Sequence, residues 1–470
     1  MREILTALRM IPPAGRYLGG LLLSLMMVWY IARLLRIPSP YNWVLLAGVV
    51  VAFELFYLVG FARKQKEKKD ARDFEGSLGL QSRQAGVGKE EIREALAELG
   101  QKWEEAVKEF RAAGMSIYDL PWYLLIGEPQ SGKSTTIQNS GLEFPVGTDS
   151  LSGSGGTRNC DWWFTNEAVI LDTAGRFTFQ EANAPDQHEW NTFLKLLTKH
   201  RKQCPINGVI VVIPVTSLVE DAIDVIESKA KNIRQKLRHL QQVLGIRFPV
   251  FVLVTKADRI LGFTEFFSRL DPVDQRQLFG WSSQTSQATP WNPKEFDDNF
   301  NEVFSRVHKL RLKFFHGEGD TSKIDKLFVF PEELSALREP LAQYLTTVFA
   351  GSKFEEPLML RGFYFTSGIQ QGRPFALACK ELLRVHAGDP EGVLENLEQV
   401  FSKSRAFFIR DFYEKKVFPE QGLVAKTREA LQKEKVRRRI LFGGVGLSAI
   451  ILIPLLIWAF SSLRATVGAT

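Results

Sequence analysis

At 470 residues, 45% hydrophobic and with a formal charge of +7 at pH 7, the chain is long enough for about two or three domains and a sizeable core. Its three cysteines, Cys160, Cys204 and Cys379, form no C-x-x-C pair, and its six histidines show no metal-ligand spacing. A disulfide frame and a zinc site are therefore excluded in favour of reduced core thiols. The positive charge is concentrated beside apolar runs, and no aromatic-interleaved basic stripe occurs, so no nucleic-acid module is expected.

After a short amino terminus (1–16), two apolar runs predict a transmembrane hairpin over 17–62. The first comprises Leu18 to Ala32 with Leu34 and Leu35, and the second runs from Trp43 to Ala62, about the 20 residues that a bilayer core needs. Pro38, Ser39, Pro40 and Asn42 turn the chain between them. A cleaved signal peptide is the competing reading of the first run, disfavoured because no small-residue cleavage site precedes the second. Glu54 stands near the middle of the second run, where an ionised carboxylate is costly. It is expected to be protonated against its neighbour helix or bonded to a membrane partner. A third apolar run, Ile440 to Phe460, predicts another span over 440–462. Arg63, Lys64, Lys66, Lys68 and Lys69 follow the hairpin, and Lys433, Lys435, Arg437, Arg438 and Arg439 precede the third span. This charge bias puts 63–439 in the cytoplasm and the tail, 463–470, on the far side.

A basic linker (63–89) leads to Ile92, Leu96, Leu99, Trp103, Val107 and Phe110, whose spacing predicts a helix over 90–114 that packs on the next domain. From 120 to 262 the pattern is that of an α/β P-loop NTPase core with a GTPase-like switch domain. An apolar strand, Trp122 to Ile126, runs into Gly127, Glu128, Pro129, Gln130, Ser131, Gly132, Lys133 and Ser134, which fits G-x-x-x-x-G-K-S/T. In such a loop the amides cradle phosphate, Lys133 reaches the outer phosphates, Ser134 ligates magnesium and Thr135 continues the helix beneath them. Residues 169–175 (VILDTAG) end a strand in D-x-x-G. Asp172 is expected to hold magnesium through water, and Gly175 to sense the terminal phosphate by its amide. Thr157 is the candidate first-switch threonine over the metal. Thr255, Lys256 and Asp258 (TKAD) form the candidate base-reading loop, with Thr255 where Asn is usual, so Asp258 favours guanine while ATP remains open. The expected cofactor is Mg2+ with GTP or ATP, and the catalytic candidates are Lys133, Thr157 and Gly175. Arg176 stands where many switch GTPases carry a water-orienting glutamine, which predicts hydrolysis that is slow or that depends on another group or a partner. The glycines of 151–156 (LSGSGG) are read as a mobile switch loop rather than a transport-ATPase signature.

Further strands are expected at Cys160 to Thr165 paired with Glu167 to Asp172, and at Gly208 to Ile213 and Phe248 to Val254. Ser217 with Glu220 predicts a capping box that starts a long helix ended by Gly245. Over 263–358, Phe296, Phe300, Val303, Val307, Leu310 and Phe314 form one helical stripe, and Leu334, Leu337, Leu341 and Leu345 form another, predicting a helical insertion. A last core strand, Gly362 to Phe365 within 359–373, leads to Thr366, Ser367 and Gly368, of which Ser367 is placed with the nucleotide site. A helical extension over 374–439 returns to the third span.

GGTRNCDWWF at 155–164, DTAGR at 172–176, FPEEL at 330–334, LRGFYFTSG at 360–368 and FFIRDFYEKKVFPEQGL at 407–423 together resemble the IcmF/TssM proteins of bacterial secretion systems. The resemblance covers nearly the whole chain, and no general structural reason links these motifs. It implies an inner-membrane component of the type VI secretion membrane complex, or of the related type IVB systems. Its implied role is a membrane-anchored NTPase-like scaffold that controls assembly, with a non-hydrolysing scaffold as the alternative. The implied partners are TssL-like subunits, baseplate components, further copies of the chain and, through a periplasmic region, TssJ-like subunits. Family members continue past the third span into a large periplasmic domain, whereas this sequence reaches only Thr470. It is expected to be an amino-terminal piece or a short form.

Overall fold

The computed structural model describes residues 118–145, 160–175, 184–201, 203–284, 291–315, 321–351, 355–370, 405–432 and 434–436, with single positions at 26, 29, 30, 33, 375 and 439. Two compact units divide the chain, one formed by Ser82–Leu431 and the other by Met1–Gln81 with Gln432–Thr470. In the smaller unit the described residues near the amino terminus are helical, with the Arg33 guanidinium 5.3 Å from the Trp29 ring centre. The three expected spans lie almost wholly outside the described residues, as do Glu54, the linker and the helix over 90–114. Among the described residues no helix is long and apolar enough to cross a membrane.

The larger unit is built on a seven-stranded sheet. In chain order its elements are β1 (Trp122–Gly127), α1 (Lys133–Gln138), β2 (Cys160–Phe164), β3 (Val169–Thr173), α2 (Ala184–His200), β4 (Gly208–Pro214), α3 (Val215–Glu220) and α4 (Ile223–Leu244). There follow β5 (Ile246–Arg247), β6 (Pro249–Thr255), α5 (Phe263–Phe267), β7 (Gly280–Ser282), α6 (Pro293–Phe315), α7 (Thr321–Ser335), α8 (Arg338–Phe349), β8 (Met359–Phe365) and β9 (Ala425–Lys426). The sheet order is β2-β3-β1-β4-β6-β8-β7, and β5 pairs separately with β9. The five inner strands are mutually parallel, whereas β2 and β7 lie antiparallel at the two edges. Near-continuous Val, Ile, Leu and aromatic runs suit strands covered on both faces, and every residue of β1, β3, β4 and β6 is buried.

The two-residue alternation sorts the side chains between two cores. Trp122, Leu124, Trp162, Leu171, Val211, Val252 and Phe363 face the helices, with Trp190, Ile233, Phe300, Phe330 and Leu341 against them. Tyr123, Leu125, Trp163, Ile170, Val212, Phe251 and Tyr364 face the opposite way, onto Ile137, Ile409, Phe412, Tyr413, Val417 and Phe418. Adjacent tryptophans of one motif thus serve opposite faces, and Trp162 meets Trp122 edge-on at 5.2 Å.

Three sequence expectations are corrected here. Ser217 and Glu220 do not cap a long helix. They lie within α3, Asp221 and Ala222 are extended, and α4 begins at Ile223 with no side-chain cap. Gly245 does end α4, in the left-handed conformation. The leucine stripe 334–345 is fully buried but belongs to two helices, because the chain turns at Ala336 and Leu337 between α7 and α8. Within the expected extension 374–439, the described residues 405–426 form a strap rather than a long helix. It contains one π turn (Phe412–Val417) and a 3-10 turn (Phe418–Leu423) before β9.

The strap also supplies the structural reason for two motifs to occur together. Arg361 of β8 donates both Nε and Nη2 to Glu420, at 2.6 and 2.9 Å, and Lys416 reaches the same carboxylate at 2.7 Å. A buried guanidinium needs such a forked partner.

Candidate functional site

At the carboxyl end of β1 the chain leaves the sheet at Gly127 and re-enters a helix at Lys133. Gly132 takes the left-handed conformation at φ 84° that makes this turn possible, and Gln130 is also left-handed at φ 58°. Inside the loop the Lys133 ammonium donates to the carbonyls of Glu128 at 2.7 Å and Gly127 at 3.1 Å. Burial lowers its pKa from 10.5, and the negative charges of Asp172 and Glu128 oppose that shift.

The hydroxyl of Ser134 donates to Asp172 Oδ2 at 2.5 Å, although the two residues are 38 positions apart. The parallel pairing of β1 with β3 produces this meeting by setting Leu125 opposite Asp172. Gly175 lies against the loop so closely that a Cβ there would overlap the backbone of Pro129. The Glu128 side chain reaches α3 and α4, where its Oε2 accepts from Ser217 Oγ at 2.8 Å and Lys229 Nζ at 2.6 Å. Thr157 and Arg176 lie outside the described residues.

The ends of β6 and β8 build the other half of the site. Lys256 is left-handed at φ 56°, and the amide of Ala257 donates to Thr366 O at 3.0 Å. Asp258 is buried, and its Oδ1 accepts from Ser367 Oγ at 2.7 Å. Thr255 Oγ1 donates to Ser131 O at 2.5 Å. Thr255, standing where asparagine is usual, therefore ties the end of β6 to the loop after β1. A cavity of about 340 Å³ opens between the halves, lined by Gly132, Thr135, Thr255, Lys256, Asp258 and Gly368 among others.

Ser367 is fixed in turn by residues that sequence reasoning missed. Its hydroxyl accepts from Gln370 Nε2 at 2.9 Å, and Gln370 Oε1 accepts the Arg405 amide at 2.8 Å. Ser367 and Phe407 exchange backbone hydrogen bonds in an isolated antiparallel bridge. The strap is thereby joined to the base end. On the phosphate end, the buried phenol of Tyr413 packs near Thr136 and Asp172, with its pKa raised mainly by burial. Gly368 was visible in the sequence beside Ser367, and Tyr413 lies within the motif at 407–423, whereas Gln370 and Lys229 carry no motif or periodicity that would have singled them out.

The donor set fits magnesium, a hard cation that prefers oxygen, because a hydroxyl and a carboxylate converge beside the loop lysine. The arrangement offers oxyanion contacts at one end and a buried carboxylate in a cavity at the other, as a nucleoside phosphate requires.

Comparison with known proteins gives the following. The IcmF-related N-terminal domain family matches residues 183–445. The type VI secretion system component TssM1 of Pseudomonas aeruginosa is 35% identical over 385 residues, covering 79% of this chain and 34% of that protein. The chain thus spans about a third of the length of this relative. Among solved structures, a probable GTP-binding protein engB is 20% identical over 30% of this chain and 72% of its own, with a TM-score of 0.21. The G domain of the FeoB iron transporter of T. maritima is 13% identical over 32% of this chain and 80% of its own, with a TM-score of 0.18. At these scores the likeness adds nothing to the fold reading, which rests on strand order and the loop.

Proposed function

This chain belongs to the IcmF-related family, and from that premise we propose that it is the nucleotide-binding, membrane-anchored part of a type VI secretion membrane complex in the bacterial inner membrane. The observation that carries the nucleotide reading is the convergence of Lys133, Ser134 and Asp172 at the loop after β1, whose neighbours Gly132 and Thr135 line one cavity with Asp258. Lys133 and the loop amides would bind the phosphates, Ser134 and Asp172 would hold Mg2+, and Asp258, oriented by Ser367, would read the base. Bound magnesium supplies charge neutralisation at the outer phosphates. Thr157 would close over the metal, and Gly175 would report the terminal phosphate through its amide.

GTP is the preferred nucleotide, because a carboxylate matches the paired donors of guanine, with ATP as the competitor. Turnover is slow, since Arg176 occupies the position where a glutamine would orient water. That same arginine favours the second reading, a scaffold that binds nucleotide without hydrolysing it. TssL-like subunits, baseplate components and further copies of the chain are the proposed partners, with TssJ-like subunits reached only through a periplasmic region.

The test is calorimetry and phosphate release with the full chain in detergent, comparing GTP with ATP in the presence of magnesium. Binding with slow turnover supports the enzyme, binding without turnover supports the scaffold, and binding of neither nucleotide overturns both.

A further inference from the structure

A loop that takes phosphates has use for amides and a lysine, yet this one carries a carboxylate, Glu128, directly after the glycine that ends β1. Only 7% of Glu128 is exposed. Its Oε2 accepts from Ser217 of α3 at 2.8 Å and from Lys229 of α4 at 2.6 Å. Lys229 in turn donates to Ser217 Oγ at 3.0 Å and to Asp221 Oδ2, in the extended joint between the helices, at 2.6 Å. Burial works against the Lys229 charge, but the hydrogen bonds to Asp221 and Glu128 outweigh it and raise its pKa. The Glu128 backbone carbonyl meanwhile accepts from Lys133, at 2.7 Å. One residue therefore touches the phosphate-binding lysine with its backbone and the helical layer with its side chain.

We propose that Lys229 is a positioning residue for the phosphate loop, neutralising Glu128 and holding its carboxylate away from the space the phosphates take. The proposal rests on the nucleotide-binding reading given above. Without Lys229 the carboxylate stays buried without its ion-pair partner and competes with the ligand for the Lys133 charge, or turns toward the loop and repels the ligand.

The experiment titrates the full chain in detergent with Mg-GTP, Mg-ATP and inorganic tripolyphosphate, measuring thermal stability in parallel. Lys229→Met should weaken all three ligands by roughly tenfold or more, Lys229→Arg should retain most of the affinity, and Glu128→Gln added to Lys229→Met should recover most of it. A merely structural role would lower the melting temperature without a loss common to the base-free ligand. If Lys229→Met does not fold, Lys229→Gln, which keeps a donor and drops only the charge, takes its place with the same expected loss. Wild-type affinity in the folded charge-removing variant, or no recovery in the double variant, overturns the proposal. Absence of binding by the wild-type chain overturns the nucleotide reading itself, and the proposal with it.

Discussion

The two ends of the cavity are assembled differently. At the phosphate end, Gly127 to Ser134 form one uninterrupted stretch between β1 and α1, and only Asp172 must be brought from a neighbouring strand. At the base end, Asp258, Ser367 with Gln370, and Arg405 come from three places in the chain and are joined by side-chain hydrogen bonds. The phosphate end is tied through Glu128 to α3 and α4, and the base end through Ser367 and Gln370 to the strap. Damage to one end should therefore be read in a different ligand series from damage to the other.

The largest effect is expected at the phosphate end. Lys133→Ala should reduce affinity for Mg-GTP, Mg-ATP and tripolyphosphate alike by about 100-fold, the scale of lost hydrogen bonds to a charged group. Because the burial cost of the ammonium is offset by its hydrogen bonds to two loop carbonyls, the variant should still fold and melt close to the wild type. Calorimetry and a melting curve on the same preparation check both parts, and a loss confined to nucleosides would erase the distinction between the ends. Asp172→Asn comes next, with an expected loss of roughly tenfold in magnesium and little change in chelator. Superimposable magnesium titrations would make Asp172 a structural residue only.

At the base end the effect should be smaller and selective. Gln370→Leu removes the bond that restrains Ser367, so affinity for whole nucleotides should drop about fivefold while tripolyphosphate binds as before. An equal loss for tripolyphosphate would show that the strap acts on the whole site. The pH dependence of the phosphate end shows only at alkaline pH. Lys133 has a lowered pKa in the folded chain, and bound phosphate would favour its charged form. Affinity should be full below that lowered pKa and decline as pH rises through it, by at most about tenfold per unit. Titration in two buffers of different ionisation heat should show proton uptake on binding at alkaline pH, and a pH-independent affinity would remove Lys133 from the phosphate contact.

The same difference decided what could be read from the sequence. The loop spacing, the strand before it and D-x-x-G are local patterns, and all appear where expected. The inner strands were legible because burial on both faces demands continuous apolar runs. Asp258 and Ser367 were identified as separate candidates, but their mutual bond depends on β6 and β8 being neighbours, which local spacing does not encode. Gln370 lies 35 residues from its strap partner, and the strap has no helical or strand period. The capping box at Ser217 matched a local rule, yet its hydroxyl was already committed to Glu128, 89 residues away. The edge strand β7, only three residues long, is too short for any alternation to show.

The account's central claim is that a single nucleotide bridges the loop at 127–134 and the loops at 255–258 and 366–370. Hydrogen exchange of the full chain tests it most directly, comparing no ligand, Mg-tripolyphosphate and Mg-GTP. The account predicts that tripolyphosphate slows exchange across 127–134 alone, whereas Mg-GTP slows it across all three segments. Protection by Mg-GTP that leaves all three segments unchanged, or that falls elsewhere in the chain, would contradict it.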